Sequence, residues 1–275
     1  MKGIDVSKWQ KGLNVSNIDA DFVIAKATGG SGYVDTSFDV FAHQAIESGK
    51  LFGFYHFAKD GYSELPGNKE ADFFYRHTKD FCGVGLPVLD LEDNAISDWA
   101  EYASEFCTRY HDLAGIYPVV YTGLDGINAL WRADLLDKVK IWFAGYPLGY
   151  IDYWLPDTAN PRDYYQIKPQ ADIIMWQFTS AVNYDGHNVD ANLCYIDSET
   201  WADLSGGNMA INDDDIARIA KACAEYVYSE EDEAAHLNMY NTAHWAYWYA
   251  HMINDKIDKL IERLDKLEEG IRNAK

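Results

Sequence analysis

The stretch Leu86-Pro87-Val88-Leu89-Asp90-Leu91-Glu92-Asp93 decides the fold. It is apolar up to Asp90 and acidic beyond it, the pattern of a strand buried on both faces that surfaces at its C-terminal end. Seven more apolar runs surround it: Gly3–Trp9, Phe22–Ala27, Leu51–Phe57, Ile116–Tyr121, Lys140–Ala144, Ile173–Phe178 and Val189–Cys194. Helix-length segments separate the early runs. Ser37–Ser48 places Phe38, Phe41, Ala42, Ala45 and Ile46 on one face, as a helix covering a sheet does. Asn68–Phe81 is a second such segment, and Ser97–Leu113 a third, with Ser97 as its N-cap. Strands alternating with helices imply a parallel sheet, and eight of them imply closure. The predicted fold class is therefore α/β, a modified (β/α)8-like barrel. After Ala144 the pattern weakens. Gly145–Ala171 is rich in Pro, Gly and Tyr, and Thr179–Asn188 is too short for a crossover helix. The last third of the barrel is expected to have an incomplete helical coat.

The barrel accounts for residues 1–203. Leu204-Ser205-Gly206-Gly207-Asn208 has a linker's composition, and 204–212 reads as the connection to a small all-α C-terminal module, 213–275. That module opens on Asp213-Asp214-Asp215, which suits a helix N-terminus. It then carries Ile253, Ile257, Leu260, Leu264, Leu267 and Ile271 at alternating spacings of four and three, an a/d heptad seam. The seam fits either a self-associating coiled coil, making a homo-oligomer, or a helical hairpin folded on itself.

Of 275 residues, 44 are Asp or Glu and 23 are Lys or Arg, for a net charge of -21. That balance excludes nucleic acid as a partner, which needs a basic footprint, and argues against capture by an anionic membrane. No run approaches the ~20 apolar residues of a membrane span. Met1-Lys2-Gly3-Ile4-Asp5 runs into the first strand with no apolar core of a signal peptide. Synthesis in the cytoplasm is therefore expected. Cys82, Cys107, Cys194 and Cys223 have no metal-like spacing and read as free thiols.

Residues i and i+2 of a strand share a face, so Asp90 and Glu92 are expected to point the same way with Cα atoms roughly 7 Å apart. In a parallel barrel the C-terminal strand ends carry the active site. Two carboxylates there suit acid-catalysed bond cleavage, one held neutral and the other ionised. An isolated D-x-E also fits a solvated strand end or a helix cap. Two more acids alter that balance. Asp5 lies in the first strand and Asp190 in the last, and a closed barrel makes these strands neighbours. Lys26 on the second strand offers an alternative, a core ion pair with Asp5. Tyr55, His56, Tyr121, Trp142, Trp176 and Gln177 recur near the same strand ends. Aromatic faces stack on sugars, and an amide bonds hydroxyl or acetamido groups. They and Lys26 are the candidate substrate-binding residues, set against the plainer reading of core packing. No metal and no cofactor is expected, since no second histidine stands at a ligand spacing from His56.

These segments together resemble glycoside hydrolase family 25 lysozymes, the N-acetylmuramidases. The resemblance rests on Gly3-Ile4-Asp5-Val6-Ser7-Lys8-Trp9-Gln10, Ala25-Lys26-Ala27-Thr28-Gly29-Gly30, Gly53-Phe54-Tyr55-His56-Phe57 and Asp90-Leu91-Glu92. It continues through Tyr121-Thr122-Gly123, Trp176-Gln177-Phe178 and Val189-Asp190-Ala191-Asn192. It spans 1–203 and not the tail. It implies cleavage of the β-1,4 bond between N-acetylmuramic acid and N-acetylglucosamine in peptidoglycan glycan strands. Glu92 matches the general acid, Asp90 its partner carboxylate, and Asp5 and Asp190 the other acids of the groove. The modular build resembles a phage endolysin whose tail binds a cell-wall ligand. Two alternatives stand beside it: a chitinase or N-acetylglucosaminidase on the same barrel, and a catalytically inactive wall-binding protein.

Overall fold

In the computed structural model, which describes residues 1–60 and 63–207, the first strand meets both the second and the last. The strands are β1 (Lys2–Val6), β2 (Phe22–Gly29), β3 (Tyr33–Val34), β4 (Leu51–Phe57), β5 (Leu86–Asp90), β6 (Val119–Thr122), β7 (Ile141–Ala144), β8 (Ile173–Tyr184) and β9 (His187–Cys194). Eight form a ring in the order β1-β9-β8-β7-β6-β5-β4-β2, and β2 pairs back to β1. β3 is an antiparallel flap on the end of β2.

The sheet is not parallel throughout, as alternation alone predicted. β8 and β9 form an antiparallel hairpin, and β9 runs antiparallel to β1. The cause is local. Asp185 and Gly186 both take positive φ, 49° and 83°, the two-residue turn that matches strand twist. Thr179–Asn188 is therefore the tip of a long hairpin.

Four helices cover one side: α1 (Phe38–Glu47), α2 (Gly67–Thr78), α3 (Trp99–Ala114) and α4 (Leu124–Arg132). No full helix separates β7 from β8 or β8 from β9, so the coat is incomplete where expected. The N-cap of α3 is Asp98, one residue past the predicted Ser97; its side chain accepts from the N–H groups of Ala100 and Glu101. Residues alternate faces along each strand. In β4, Phe52, Phe54 and His56 face the helices, and Phe52 and Phe54 pack on Phe38 and Phe81. Burying each such ring is worth about 1.5–3 kcal/mol. The other face supplies the barrel interior, where Ile24, Val88, Tyr121, Trp142 and Met175 share one cluster.

A fifth helix, α5 (Ser198–Leu204), follows the barrel. Its Trp201 joins the interior cluster, lies 5.2 Å from Phe22 ring to ring, and donates its indole N–H to the Phe52 carbonyl. The residues after it are not a flexible linker as far as Gly207. Ser205, Gly206 and Gly207 are buried, and the Ser205 carbonyl accepts from the Gly83 N–H at 2.8 Å. The first unit of the chain runs Met1–Met209, past the predicted end of the catalytic domain at residue 203. The rest of the predicted connection and the helical module, 213–275, lie outside the described residues. Cys107 and Cys194 are free thiols, and no described helix is long and apolar enough to cross a membrane.

Candidate active site

The register sets which side chains meet at the mouth. Lys26 pairs with Tyr55, Asp90 with Tyr121, Gln177 with Asn192, and Asp5 with Asp190. Each stands on the inward parity of its strand near the end where the parallel strands finish. Asp5 and Asp190 lie directly opposite, as closure predicts, although β9 reaches that end in the reverse sense.

Gln177 is the hub of this layer. Its Nε2 donates to Asp5 Oδ2 at 2.9 Å and to Asp190 Oδ2 at 3.3 Å. Its Oε1 accepts from the Tyr121 hydroxyl at 2.7 Å and the Tyr146 hydroxyl at 2.5 Å. Carboxylates only accept and phenols here donate, so the partners fix which way the amide points. With both hydrogens and both lone pairs engaged, Gln177 has no capacity left for a sugar. It braces the wall. Asn192 repeats the arrangement one layer below. It donates to Asp5 Oδ2 at 2.8 Å and accepts from the Trp142 indole at 2.8 Å. Trp142 is thus buried and acts on the groove through Asn192.

Burial first, and then the charge of Asp190, raises the Asp5 carboxyl well above the usual range. Burial also pushes Asp190 up to about 6, against the lowering effect of a hydrogen bond from Asp5. The two titrate as one coupled unit, both raised above the ordinary range.

Asp90 and Glu92 differ from that pair. β5 ends at Asp90, so Glu92 is not on the strand. It sits on the loop leading to α3, whose course is set by the Leu91 N–H on the Tyr121 carbonyl and by the buried Ile96. Asp90 is only 7% exposed, and among the described residues its buried Oδ1 has no hydrogen-bond partner. Burial pushes Asp90 well above the ordinary range; the charges of Glu92, Asp5 and Asp190 push the same way, and Lys26 opposes them. The Glu92 side chain is exposed, yet enough protein surrounds its carboxyl that burial is the main cause raising it, followed by Asp93, again with Lys26 opposing. Tyr55 and Tyr121 are held as neutral phenols, by burial and by these acids.

Of the remaining predicted residues, Lys26 stays at the mouth, whereas His56 and Trp176 are placed elsewhere. Lys26 pairs with Asp60 at 3.4 Å and not with Asp5. His56 lies on the outward face of β4, fully buried, with Nδ1 2.8 Å from Thr28 Oγ1 and Nε2 3.1 Å from Glu70. Trp176 also faces outward, its indole donating to the Gly145 carbonyl beneath Tyr164. Neither enters the groove, because each neighbours an inward residue on its strand, Tyr55 and Gln177, and parity sends it the other way.

Two residues not singled out from sequence belong to the mouth. Asn192 follows Asp190 at i+2, so the spacing that paired Asp90 with Glu92 would have found it. Tyr146 follows the end of β7 by two residues but lies in a segment that reads as irregular. Trp9, after β1, is 80% exposed, with the Lys8 ammonium between its ring and that of Tyr33. It offers a flat apolar face at the rim.

Buried carboxyls, one with an oxygen that lacks a partner among the described residues, on the mouth of a β/α barrel walled by phenols and amides suit the chemistry of a glycoside hydrolase. The model of glycosyl hydrolases family 25 matches residues 4–187, and the chain belongs to that family. It is 33% identical over 208 residues to an N,O-diacetylmuramidase of a Chalaropsis species, covering 68% of this chain and 92% of the relative. It is 28% identical over 160 residues to the lysozyme of Streptococcus phage Cp-1, covering 56% of this chain and 42% of that protein. The bacterial lysozyme of Streptomyces coelicolor superposes with a TM-score of 0.60 at 23% identity, covering 76% of this chain and 98% of that one. This last likeness speaks to the fold.

Proposed function

We propose that this chain is a peptidoglycan hydrolase, a muramidase that cleaves the β-1,4 bond between N-acetylmuramic acid and N-acetylglucosamine with retention, Glu92 serving as general acid. Family membership and the muramidase relative support the reaction class. One observation carries the mechanism: the unpartnered Oδ1 of Asp90 beside Glu92. A buried carboxyl oxygen without a donor is destabilising by about 1–3 kcal/mol, and a substrate N–H would relieve that. A 2-acetamido group supplies one.

Burial favours a proton on Asp90 before substrate binds. An acetamido N–H at Oδ1 stabilises the carboxylate and leaves Glu92 as the protonated partner. Glu92 then gives its proton to the glycosidic oxygen as the C1–O bond breaks. The acetamido oxygen closes on C1, with its N–H held by Asp90. Water opens the resulting ring from the opposite side and returns a proton to Glu92, giving net retention by a substrate-assisted route. Direct attack by a carboxylate at C1 is the competing route and needs carboxyls about 5–5.5 Å apart. Tyr55, Tyr121 and Lys26 line the groove; Asp5, Asp190 and Gln177 give it its shape and its charge.

The phage relative supports an endolysin-type role, with the enzyme kept in the host cytoplasm until release to the wall. Residues 213–275 are the candidate module for wall-ligand binding and self-association, supported by the heptad seam.

The test is the new reducing end released from purified walls. Reduced N-acetylmuramic acid is the expected product. Reduced N-acetylglucosamine would transfer the chain to the N-acetylglucosaminidase class, and no release would favour an inactive wall-binding protein.

A further inference from the structure

The Lys26 ammonium faces the acid pair from β2, yet no predicted or wall-forming residue explains what holds it there. Its partner is Asp60, 3.4 Å away, which lies just beyond the end of β4. Three features of the fold converge on that contact. A register shift between Lys26 and Thr28 inserts Ala27 as an extra residue in β2. Without it Lys26 and Thr28 would share a face. With it Lys26 joins Tyr55 at the mouth, while Thr28 pairs with His56 on the outside. Bulges of this kind re-aim side chains beside active sites.

The second feature is the turn itself. Lys59 and Asp60 both adopt positive φ, 63° and 43°, uncommon for side-chain-bearing residues and unfavourable unless the surroundings impose it. The restraint comes from Glu70, fully buried on α2. Its Oε2 accepts from the Lys59 N–H at 2.9 Å, from the Tyr102 hydroxyl at 2.7 Å and from His56 Nε2 at 3.1 Å. Its other oxygen lies 3.9 Å from the Lys59 ammonium. The third feature is space. A Cβ on Gly29 would come 2.3 Å from Asp60 Oδ2, and one on Gly30 would come 2.6 Å from the Lys59 carbonyl. Two glycines at the end of β2 leave the opening that the turn occupies.

We propose that Asp60 is a positioning residue of the active site: anchored by buried Glu70 in a left-handed turn, its carboxylate seats the Lys26 ammonium facing Asp90 and Glu92. The groups facing Lys26 are Asp60 at 3.4 Å, the rings of Phe57 and Tyr33 at 4.6 and 5.2 Å, and, through their charges, His56, Asp90 and Glu92. Tyr33 in turn gives its hydroxyl to Asp35. Lys26 opposes the protonation of both acids. Asp60, which holds Lys26, acts on them through that contact. The inference rests on Asp90 and Glu92 being the reacting acids.

The test is the pH dependence of wall hydrolysis by full-length variants, with thermal unfolding as a check on folding. Lys26→Met removes the positive field, so the alkaline limb, where the general acid loses its proton, should move up by about half a pH unit. Asp60→Asn unseats Lys26, so the same limb should move up part of the way toward that of Lys26→Met. The double variant Lys26→Met/Asp60→Asn should match Lys26→Met. Glu70→Gln, which loosens the turn but leaves the mouth intact, should move the limb in the direction of Asp60→Asn. Loss of rate in both single variants with the limb unmoved would show a purely structural role and overturn the proposal. So would an Asp60→Asn shift that persists undiminished when Lys26 is Met. Retained activity in Glu92→Gln would instead fault the assignment of the acid and not this inference.

Discussion

Two carboxyl pairs face each other across the mouth, and they are held in opposite ways. Asp5 and Asp190 are tied down: Gln177 donates to both, Asn192 donates to Asp5, and behind these stand Tyr121, Tyr146 and Trp142. Asp90 has a buried oxygen with no donor among the described residues, and Glu92 stands on a loop with its side chain open to solvent. A saturated network fixes a shape, whereas an unsaturated one holds binding capacity in reserve at a cost in stability. The β8–β9 side thus reads as wall and the β5 side as reacting surface.

The largest effect that could break this contrast is on rate. Glu92→Gln should lower turnover roughly a thousandfold, the scale of a lost general acid, with an unchanged unfolding midpoint; progress curves on purified walls beside thermal melts check it. Next comes a change confined to the wall. Gln177→Ala should destabilise by roughly 2–4 kcal/mol, because it strands two carboxyls and two phenols in a buried layer. Thermal melts at fixed pH would show it, and a midpoint within a degree of wild type would mean the network carries little.

A smaller and slower signature lies in pH. Asp5, Asp90 and Asp190 have folded values above their unfolded ones, so the folded state binds more protons. Their stabilisation is present below the ordinary aspartate value and lost as pH rises through the folded values, about 6 for Asp190. Between about pH 4 and pH 6 the unfolding midpoint should therefore fall, and Asp190→Asn should flatten that fall. Glu70 behaves in the reverse sense. Hydrogen bonds from His56 and other donors outweigh its burial and hold it below the usual value, so its contribution is lost as pH falls.

Much of the barrel was legible because apolar runs on both faces mark buried parallel strands, and because closure places Asp5 beside Asp190. The reversal of β9 is written in Asp185-Gly186, a hairpin dipeptide inside a segment whose length alone says only that no crossover helix fits. His56 and Trp176 stand near strand ends, but each neighbours an inward residue, and parity turns it outward. Lys26 was read as a groove residue, but its partner was out of reach: 34 positions separate it from Asp60, and both the bulge and the left-handed turn arise from packing that no local pattern encodes. Glu92 was expected on the strand, whereas β5 ends two residues earlier and the carboxyl gains its exposure from the loop.

The contrast between the two pairs stands most directly on Asp90→Asn, measured for wall hydrolysis and thermal stability in the same preparation. The amide keeps the shape of the side chain and removes a buried acid that lacks a partner. Turnover should drop at least roughly a hundredfold while the unfolding midpoint holds or rises. Near-normal turnover, or a midpoint that falls as far as that of Gln177→Ala, would contradict the account.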